Sequence, residues 1–377
     1  MTTALVLANA GFRVTLFEKA EGFETLGAGI QLSPNATSVL QSLGLANKLR
    51  AVATQPSAIR IENGIVGWHL ATIPLGEELQ ARHKNPYLLV HRADLQQILF
   101  TACDNHPSIN IEFSSEIVEM APHGRGVTIS LAQSRNVSER LGATVVLADG
   151  IWSKLRTEVM HLPEPVYSGK IAWRAMFPAN AVPDASFLEQ TRVWFGPKSH
   201  VVTYPVRSRR QLNMVIIADG PKANEGERLV ASSEEISKWF KWWRGSFRPL
   251  LKEQTRWTGW PLFEMPVPKQ MHLSSIALAG DVAHAMLPFA AQGAAMAIED
   301  AAVLGKCLSE HDTLDEALNT YSRLRVKRVG KVMKTARKNG RIYHMGLLTG
   351  LFRDMGMKLL PKKKLSDRQD WIYNWRP

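Results

Sequence analysis

Hydrophobic and polar positions at the start of the chain follow two successive patterns. Residues 3–10 form a run of small and apolar residues that predicts a helix, which Gly11 ends. Residues 12–17 then alternate with period two and predict a strand that leads into Glu18. In a Rossmann unit, an acid at this position binds the hydroxyl groups of a ribose. Glu18 is therefore a candidate cofactor-binding residue.

The same patterns predict elements along the rest of the chain. Further strands are predicted over residues 28–32, 109–113, 127–131, 144–147 and 275–279, and further helices from residues 34, 91 and 293. A stretch enriched in Trp and Pro contains alternating segments that predict an antiparallel sheet, namely 191–195, 200–205 and 212–218. From residue 314 the chain is mostly helical. We predict an α/β fold interleaved with a β-sheet domain and followed by a helical tail.

The composition is that of a globular protein long enough for two domains, since 45% of its 377 residues are hydrophobic. Cys103 and Cys307 lie far apart without a C-x-x-C partner, which argues against a disulfide framework or zinc site and indicates the cytoplasm. The N-terminus has no signal-peptide pattern, and polar residues interrupt the most apolar stretch, 276–298. We expect neither export nor a membrane span, and no bound metal.

The net charge of +12 is concentrated in one part of the sequence. Residues 323–364 contain fourteen Lys or Arg against the single acid Asp354. We interpret this basic tail as a solvated helical face, with a basic surface that contacts a partner or, weakly, an anionic membrane as the alternative. No nucleic-acid-binding motif accompanies the charge, so no nucleic-acid partner is predicted. The oligomeric state stays open.

The strongest chemical signal is a pair of segments, AGDVAHAMLP at 279–288 and QGAAMAIED at 292–300. A strand that ends in Gly280-Asp281 lets the backbone approach a ligand and leaves a carboxylate for ribose or ribitol hydroxyls. The helix that opens at Gly293 points its N–H groups at an anion. Both halves suit a flavin.

With these segments the chain resembles the flavoprotein aromatic hydroxylases, near the salicylate hydroxylase and 3-hydroxybenzoate 6-hydroxylase branch, over almost its whole length. The resemblance implies FAD as the cofactor, with Gly280 and Asp281 beside its ribityl and pyrophosphate groups. Pro288, which ends the first segment, is assigned to the same cofactor site. The backbone of Gly293 and Ala294 is implied to face the N1 and O2 edge of the isoalloxazine ring.

Two further motifs resemble cofactor contacts of this family. Asp149-Gly150, followed by a Ser and an Arg, implies contact with FAD and a part in NAD(P)H recognition, whereas a plain turn is the alternative. Arg92 resembles the arginine that pairs with the FAD pyrophosphate, because a guanidinium has planar donors for paired phosphate oxygens. A surface ion pair between Arg92 and Asp94 is the alternative for that residue.

The substrate side of the site is predicted from one strand and one helix start. His200 and Tyr204 share a strand face because they are four residues apart, and the resemblance implies that both project into the substrate pocket. A histidine is suited to accept a phenolic proton near neutral pH, and the resulting phenolate is the stronger nucleophile. Gln292, just before the flavin-facing Gly293, is the third predicted pocket residue. A structural role on a half-buried strand is the alternative for His200.

The family's glycine-rich loop is expected before the first helix, and counting back from Glu18 places it before Met1. We therefore expect a Rossmann-like domain that is truncated at its first strand. The predicted division is an FAD-binding domain of residues 1–59, 91–166 and 271–330, a substrate domain of 60–90 and 167–270, and a helical tail of 331–377.

The resemblance implies a monooxygenase that uses FAD, NAD(P)H and O2 to hydroxylate a phenolic, salicylate-like aromatic acid through a flavin C4a-hydroperoxide. It does not distinguish NADH from NADPH. One alternative is a flavin hydroxylase or epoxidase of an isoprenoid or quinone precursor, which the basic tail would suit. Another is a non-catalytic member that lacks FAD.

Overall fold

The computed structural model describes residues 1–22, 28–124, 126–133, 136–224, 226–254 and 256–376. Residues 23–27 of the first predicted segment, and residues 125, 134–135, 225, 255 and 377, lie outside the described residues. The strands, numbered β1 to β18 along the chain, are Val14–Phe17, Gly29–Leu32, Ala58–Asn63, His69–Pro74, Leu88–His91, Ile109–Glu112, Glu116–His123, Gly126–Gln133, Asn136–Gly142, Val145–Leu147, Val166–Pro178, Thr191–Gly196, Ser199–Val206, Gln211–Asp219, Leu229–Ser232, Arg256–Glu264, His272–Leu273 and Ile276–Leu278.

The helices alternate with the strands in the first half of the chain and dominate its end. Numbered α1 to α14, they are Thr2–Asn9, Pro34–Ser42, Ala46–Val52, Gly76–His83, Arg92–Asp104, Lys154–Met160, Ser233–Trp239, Leu250–Glu253, Asp281–His284, Gly293–Glu310, Leu314–Tyr343, Leu347–Leu359, Lys362–Asp367 and Asp370–Tyr373. Short 3₁₀ turns cover Ala179–Ala181, Ala185–Leu188 and Pro288–Ala290.

A large sheet of eight strands has the order β15-β16-β11-β14-β13-β12-β3-β4. The three strands predicted to form an antiparallel sheet, β12, β13 and β14, pair in that way. Strand β3, which was not predicted, pairs with β12 in parallel. This parallel pairing arises because β3 joins the sheet from an earlier part of the chain and not through a hairpin with β12. One face of the sheet is covered by aromatic residues of the segment around α7, such as Phe240 and Trp243. The other face packs against Leu287 and Phe289, which follow α9.

The α/β part contains two separate parallel pairings among the described residues. Strands β1 and β6 pair in parallel, as do β10 and β18, with β17 at the edge of the second sheet. Helix α10 packs against α1, α2 and α11 and so connects the surrounding elements. Gly305 of α10 allows close packing, because a Cβ there would lie 2.3 Å from a methyl carbon of Val6. These contacts confirm the α/β class with a helical end.

Each element that the sequence predicted is present, with ends shifted by no more than two residues. The division into domains stays a prediction. Strand β3 runs across its 59/60 boundary, and the 30-residue helix α11 runs across its 330/331 boundary. Among the described residues, no helix has both the length and the apolar character needed to cross a bilayer.

The interpretation of the basic tail as a solvated face is wrong for some of its arginines. Arg325 of α11 is buried, with its Nη1 2.7 Å from Glu299 and its Nε 2.6 Å from Asp300. Arg328, one turn later, donates to both oxygens of Glu299. The sequence did not show this pairing because the two acids lie 25 to 29 positions away, on α10. Part of the tail charge therefore holds two helices together.

Candidate active site

The carboxyl ends of β10 and β18 bring two predicted cofactor residues to one edge. Leu147 pairs with Leu278, and Asp149 and Gly280 each follow two residues later. Gly280 has φ 76° and ψ −145°, a left-handed conformation that favours glycine. Asp281 follows at the surface, and its carboxylate forms no hydrogen bond or ion pair with the described residues. A backbone without a side chain beside an unpaired carboxylate is suited to a polyhydroxylated ligand.

The start of α10 leaves backbone donors uncapped. Gln292 occupies the N-cap position in a helical conformation, and its side chain does not cap the helix. The N–H groups of Gly293 and Ala294 therefore have no intrahelical partner and lie at the positive end of an 18-residue helix. A Cβ at Gly293 would meet open space, so the helix start is accessible. This is the arrangement in which a helix binds an anion.

A buried hydrogen-bond network holds the strand end against α10. The Gly280 N–H donates to Asp300 Oδ2 at 2.8 Å, and His284 Nε2 lies 2.6 Å from the same oxygen. Burial raises the pKa of Asp300, but His284 and Arg325 outweigh this effect and bring it down to about 2. Asp300 is thus ionised at neutral pH, and it fixes Gly280 relative to the helix start.

The other predicted cofactor residues lie at element ends. Glu18 follows β1, and its Oε1 accepts from the Ala20 N–H at 3.0 Å. Arg92 is the exposed first residue of α5, while Asp94 lies 3.5 Å from Arg207 and forms its ion pair there. Pro288 is exposed at the first position of a 3₁₀ turn. Together, the open position at Gly293, the uncapped start of α10 and the unpaired carboxylate of Asp281 fit a dinucleotide such as FAD.

His200 lies on the face of the large sheet that packs against the α/β part. Its ring is 2% exposed, and its centroid lies 5.4 Å from the rings of both Phe289 and Tyr343. Burial lowers the pKa of His200 well below its ordinary value, and the nearby His344 and Lys170 lower it further. The imidazole is therefore neutral at physiological pH.

A chain of hydrogen bonds runs from His200 to the surface. His200 Nδ1 lies 2.8 Å from His344 Nε2, and His344 Nδ1 lies 3.1 Å from Lys170 Nζ. Lys170 also donates to Asp219 at 2.6 Å. Burial lowers the pKa of His344 to about 4; Lys170 adds to this effect and Asp219 opposes it. Both histidines are thus neutral, and each carries a single ring proton.

The direction of this chain follows from the chemistry of its surface end. An ammonium group only donates, so His344 Nδ1 accepts from Lys170, and the proton of His344 sits on Nε2. That proton is donated to His200 Nδ1, which leaves the proton of His200 on Nε2. The general base predicted at His200 needs an unprotonated Nε2. This arrangement instead favours His200 as a hydrogen-bond donor.

Tyr204 and Gln292 both form hydrogen bonds with the segment that contains β2 and the start of α2. The Tyr204 hydroxyl donates to the Gly29 carbonyl at 2.6 Å, and burial raises the pKa of Tyr204 to about 12. Gln292 donates to Ser33 Oγ at 2.9 Å and accepts from Asn35 Nδ2 at 3.2 Å. Gly29 is the first residue of β2, and Ser33 directly follows its last residue. Among the described residues, no hydrogen bond joins any two of His200, Tyr204 and Gln292.

Several residues of this site were not found from the sequence. His344, Lys170 and Asn35 have no motif, and His344 reaches His200 across 144 positions. For Asn35, the only signal was the predicted helix start at Ser33-Pro34. In the structure Asn35 also donates to Glu299 at 2.7 Å. Pairings of this kind depend on which helix covers the sheet.

The geometry can be compared with known proteins. The FAD binding domain family matches residues 1–336. A 3-hydroxybenzoate 6-hydroxylase of Klebsiella oxytoca is 29% identical over 99% of this chain and 94% of its own length. A 3-amino-4-hydroxybenzoate 2-monooxygenase of Streptomyces platensis is 32% identical over 100% and 93%.

This chain belongs to the FAD-dependent aromatic hydroxylases. Solved structures of similar fold include a salicylate hydroxylase substrate complex, with a TM-score of 0.83 at 21% identity, covering 100% of this chain and 92% of that one. Klebsiella pneumoniae HpxO complexed with FAD and uric acid has a TM-score of 0.82, also at 21% identity, over 97% and 92%. The family assignment agrees with the resemblance inferred from the Gly280-Asp281 segment, and it confirms FAD as the cofactor.

Proposed function

We propose that this hydroxylase acts on a phenolic aromatic acid, with NAD(P)H as reductant and O2 as oxidant. The single observation that carries the proposal is the buried, neutral His200, whose Nδ1 is engaged by His344 and whose Nε2 is left for a ligand. The curated relatives act, by their names, on 3-hydroxybenzoate and 3-amino-4-hydroxybenzoate, which are both phenolic acids.

The proposed cofactor residues each have a distinct task. Gly280 and Asp281 would hold the sugar and ribityl hydroxyls, and the Gly293 and Ala294 N–H groups would face an anionic part of the flavin. Arg92, Asp149, Glu18 and Pro288 complete the proposed contacts. FAD, when bound, supplies the redox chemistry with NAD(P)H and O2. In the balanced reaction, ring C–H, O2, NAD(P)H and a proton give ring C–OH, water and NAD(P)⁺.

His200 would bind the phenolic oxygen and stabilise its ionised form. A phenolate is more nucleophilic at its ortho and para carbons than the phenol, so a donor that stabilises the anion favours attack. The His200 Nε2–H is such a donor, and it lies in a buried site where hydrogen bonds to charges are strong. Tyr204 and Gln292 would shape the pocket, because their polar groups already hold the β2 segment.

The proposal is tested with purified protein, FAD, NADH or NADPH, and a panel of hydroxybenzoates. We expect hydroxylated product in a one-to-one ratio to the NAD(P)H and O2 consumed. His200→Ala should lower turnover by about 10²- to 10³-fold, as for the loss of one hydrogen-bond donor to an oxyanion, while flavin content is retained, and the loss should shrink for more acidic phenols. His311→Ala, which removes a partly buried histidine of another region, is the matched control.

Other outcomes would contradict the proposal in different ways. Product from an isoprenoid or quinone precursor, with none from hydroxybenzoates, would favour the alternative hydroxylase or epoxidase. A folded protein that binds no FAD would favour the non-catalytic alternative. Turnover of His200→Ala within twofold of the parent, with the same pH profile, would assign His200 a structural role.

A further inference from the structure

Arg174 of β11 lies on the same sheet face as the proposed pocket residues. It pairs with Val215 of β14, which in turn pairs with Val202 of β13. Val202 lies midway between His200 and Tyr204 along β13, two residues from each. Residues two apart on a strand share a face, so Arg174, His200 and Tyr204 project to the same side.

The guanidinium of Arg174 has no paired carboxylate within the part of the chain that the structure describes. Its Nε is buried without a hydrogen-bond partner, and no acid among the described residues forms an ion pair with it. Burial lowers the pKa of Arg174; Tyr204 acts in the opposite direction, and the positive charge of Arg92 lowers it again. A partly buried charge whose Nε has no partner is unfavourable, so this group is suited to an anion from outside the chain.

Two other arginine side chains of the molecule show the contrast. Arg325 is paired with Glu299 and Asp300, and Arg353 lies 2.7 Å from Asp354. In each case the anion comes from the protein itself. Arg174 differs because its surroundings are a second cation and an aromatic ring.

The neighbours of the guanidinium are an aromatic ring and a second cation. The Trp260 ring lies 6.0 Å from Arg174 Cζ, and the positive charge of Arg92 contributes to the lowered pKa of Arg174. The exposed Arg228 contacts the same Trp260 ring at 4.6 Å. Arg174 is therefore influenced by a second cation, Arg92, and no carboxylate among the described residues pairs with it.

We propose that Arg174 binds the carboxylate of the aromatic substrate while His200 binds its phenolic oxygen. This inference rests on the proposed function. A planar guanidinium matches the two oxygens of a carboxylate, and the aliphatic Val202, Val215 and Ile217 between the two polar groups suit an aromatic ring. A phosphate group of the cofactor would bind a guanidinium in the same way. The experiment below distinguishes the substrate carboxylate from the cofactor phosphate as the ligand of Arg174.

The test measures binding, so it does not depend on turnover. Calorimetry on the FAD-loaded protein would compare 3-hydroxybenzoate with 3-hydroxybenzamide, which differ in the charge of one substituent. We expect the carboxylate to bind more tightly, and Arg174→Gln to weaken it by about 10- to 100-fold with little effect on the amide. Arg174→Lys should recover part of this preference. Arg228→Gln, which removes the exposed arginine at the same Trp260 ring, should leave both affinities unchanged.

Three outcomes would overturn the inference. Equal binding of the two ligands by the parent protein would remove the carboxylate site while leaving the proposed function in place. A loss of FAD affinity in Arg174→Gln, with the carboxylate preference retained, would assign Arg174 to a cofactor phosphate. Failure of the folded parent to bind any phenol would contradict both the proposed function and this inference. Circular dichroism would confirm that each variant is folded.

Discussion

Lys170 lies at the surface end of the hydrogen-bond chain that reaches the buried ring of His200. Its ammonium group determines which nitrogen of His344 carries a proton, and through His344 it determines the same for His200. Lys170 is therefore a positioning residue, since it acts on the pocket only through these two rings. A side chain near the surface thus controls whether a buried histidine donates or accepts.

Replacing Lys170 should change the titration of both histidines. Lys170→Met removes a positive charge that lowers their pKa values, so both values should rise, His344 by more because it is the direct neighbour. Burial remains, so neither pKa should reach its ordinary value. Titration of the histidine ring protons by NMR measures this effect. Lys222→Met, which changes an exposed lysine, is the control, and unchanged pKa values in Lys170→Met would contradict the hydrogen-bond chain.

Helices α10 and α11 are joined by buried charges as well as by apolar packing. Glu299 and Asp300 on α10 are fully buried, and Arg325 on α11 reaches both. Removing one member of such a cluster leaves its partners charged and unpaired in a region of low dielectric. Asp300 of this cluster also accepts the hydrogen bond from the Gly280 N–H, so the same residue supports the helix pair and the proposed cofactor contact at Gly280.

Arg325→Leu should lower the free energy of unfolding by about 3–5 kcal/mol, because two fully buried carboxylates lose the counter-charge that they share. Urea unfolding followed by circular dichroism measures this change. Arg323→Leu alters an exposed arginine two residues earlier and should change stability by no more than about 0.5 kcal/mol. Similar stability of Arg325→Leu and the parent protein would mean that the charges contribute little to the packing of the two helices.

FAD would contact several elements at once across the molecule. The proposed contacts come from the ends of β1, β10 and β18 and from the starts of α5 and α10, which are far apart in sequence. A ligand that binds only the folded state stabilises it in proportion to the logarithm of its concentration. Thermal stability is therefore a readout of the whole cofactor site that does not need turnover.

FAD should raise the melting temperature, with an increase that grows with its concentration. Asp281→Ala removes an acceptor for cofactor hydroxyls and should weaken FAD binding by about 1–3 kcal/mol, which reduces the thermal shift. Asp312→Ala, at an exposed acid outside the site, should behave like the parent. An identical FAD titration for Asp281→Ala would remove this residue from the cofactor site.

The secondary-structure elements could be predicted from the sequence because their determinants are local. Alternation over residues 200–205 predicted β13, and Gly280-Asp281 predicted a strand end suited to a flavin. Such patterns depend on backbone geometry and neighbouring residues, which the order of amino acids specifies directly. The family resemblance rested on these same segments and agrees with the family match over residues 1–336.

The partners of charged and polar side chains were decided only by tertiary structure. The sequence showed a basic tail but not that Arg325 is buried against Glu299, and it showed His200 but not the neighbouring His344. A hydrogen bond or ion pair requires atoms to meet within about 3–4 Å, and which distant residues meet depends on how helices pack over the sheet. Arg174 is the clearest case, because a lone arginine in a strand has no local signal that its Nε is buried without a hydrogen-bond partner.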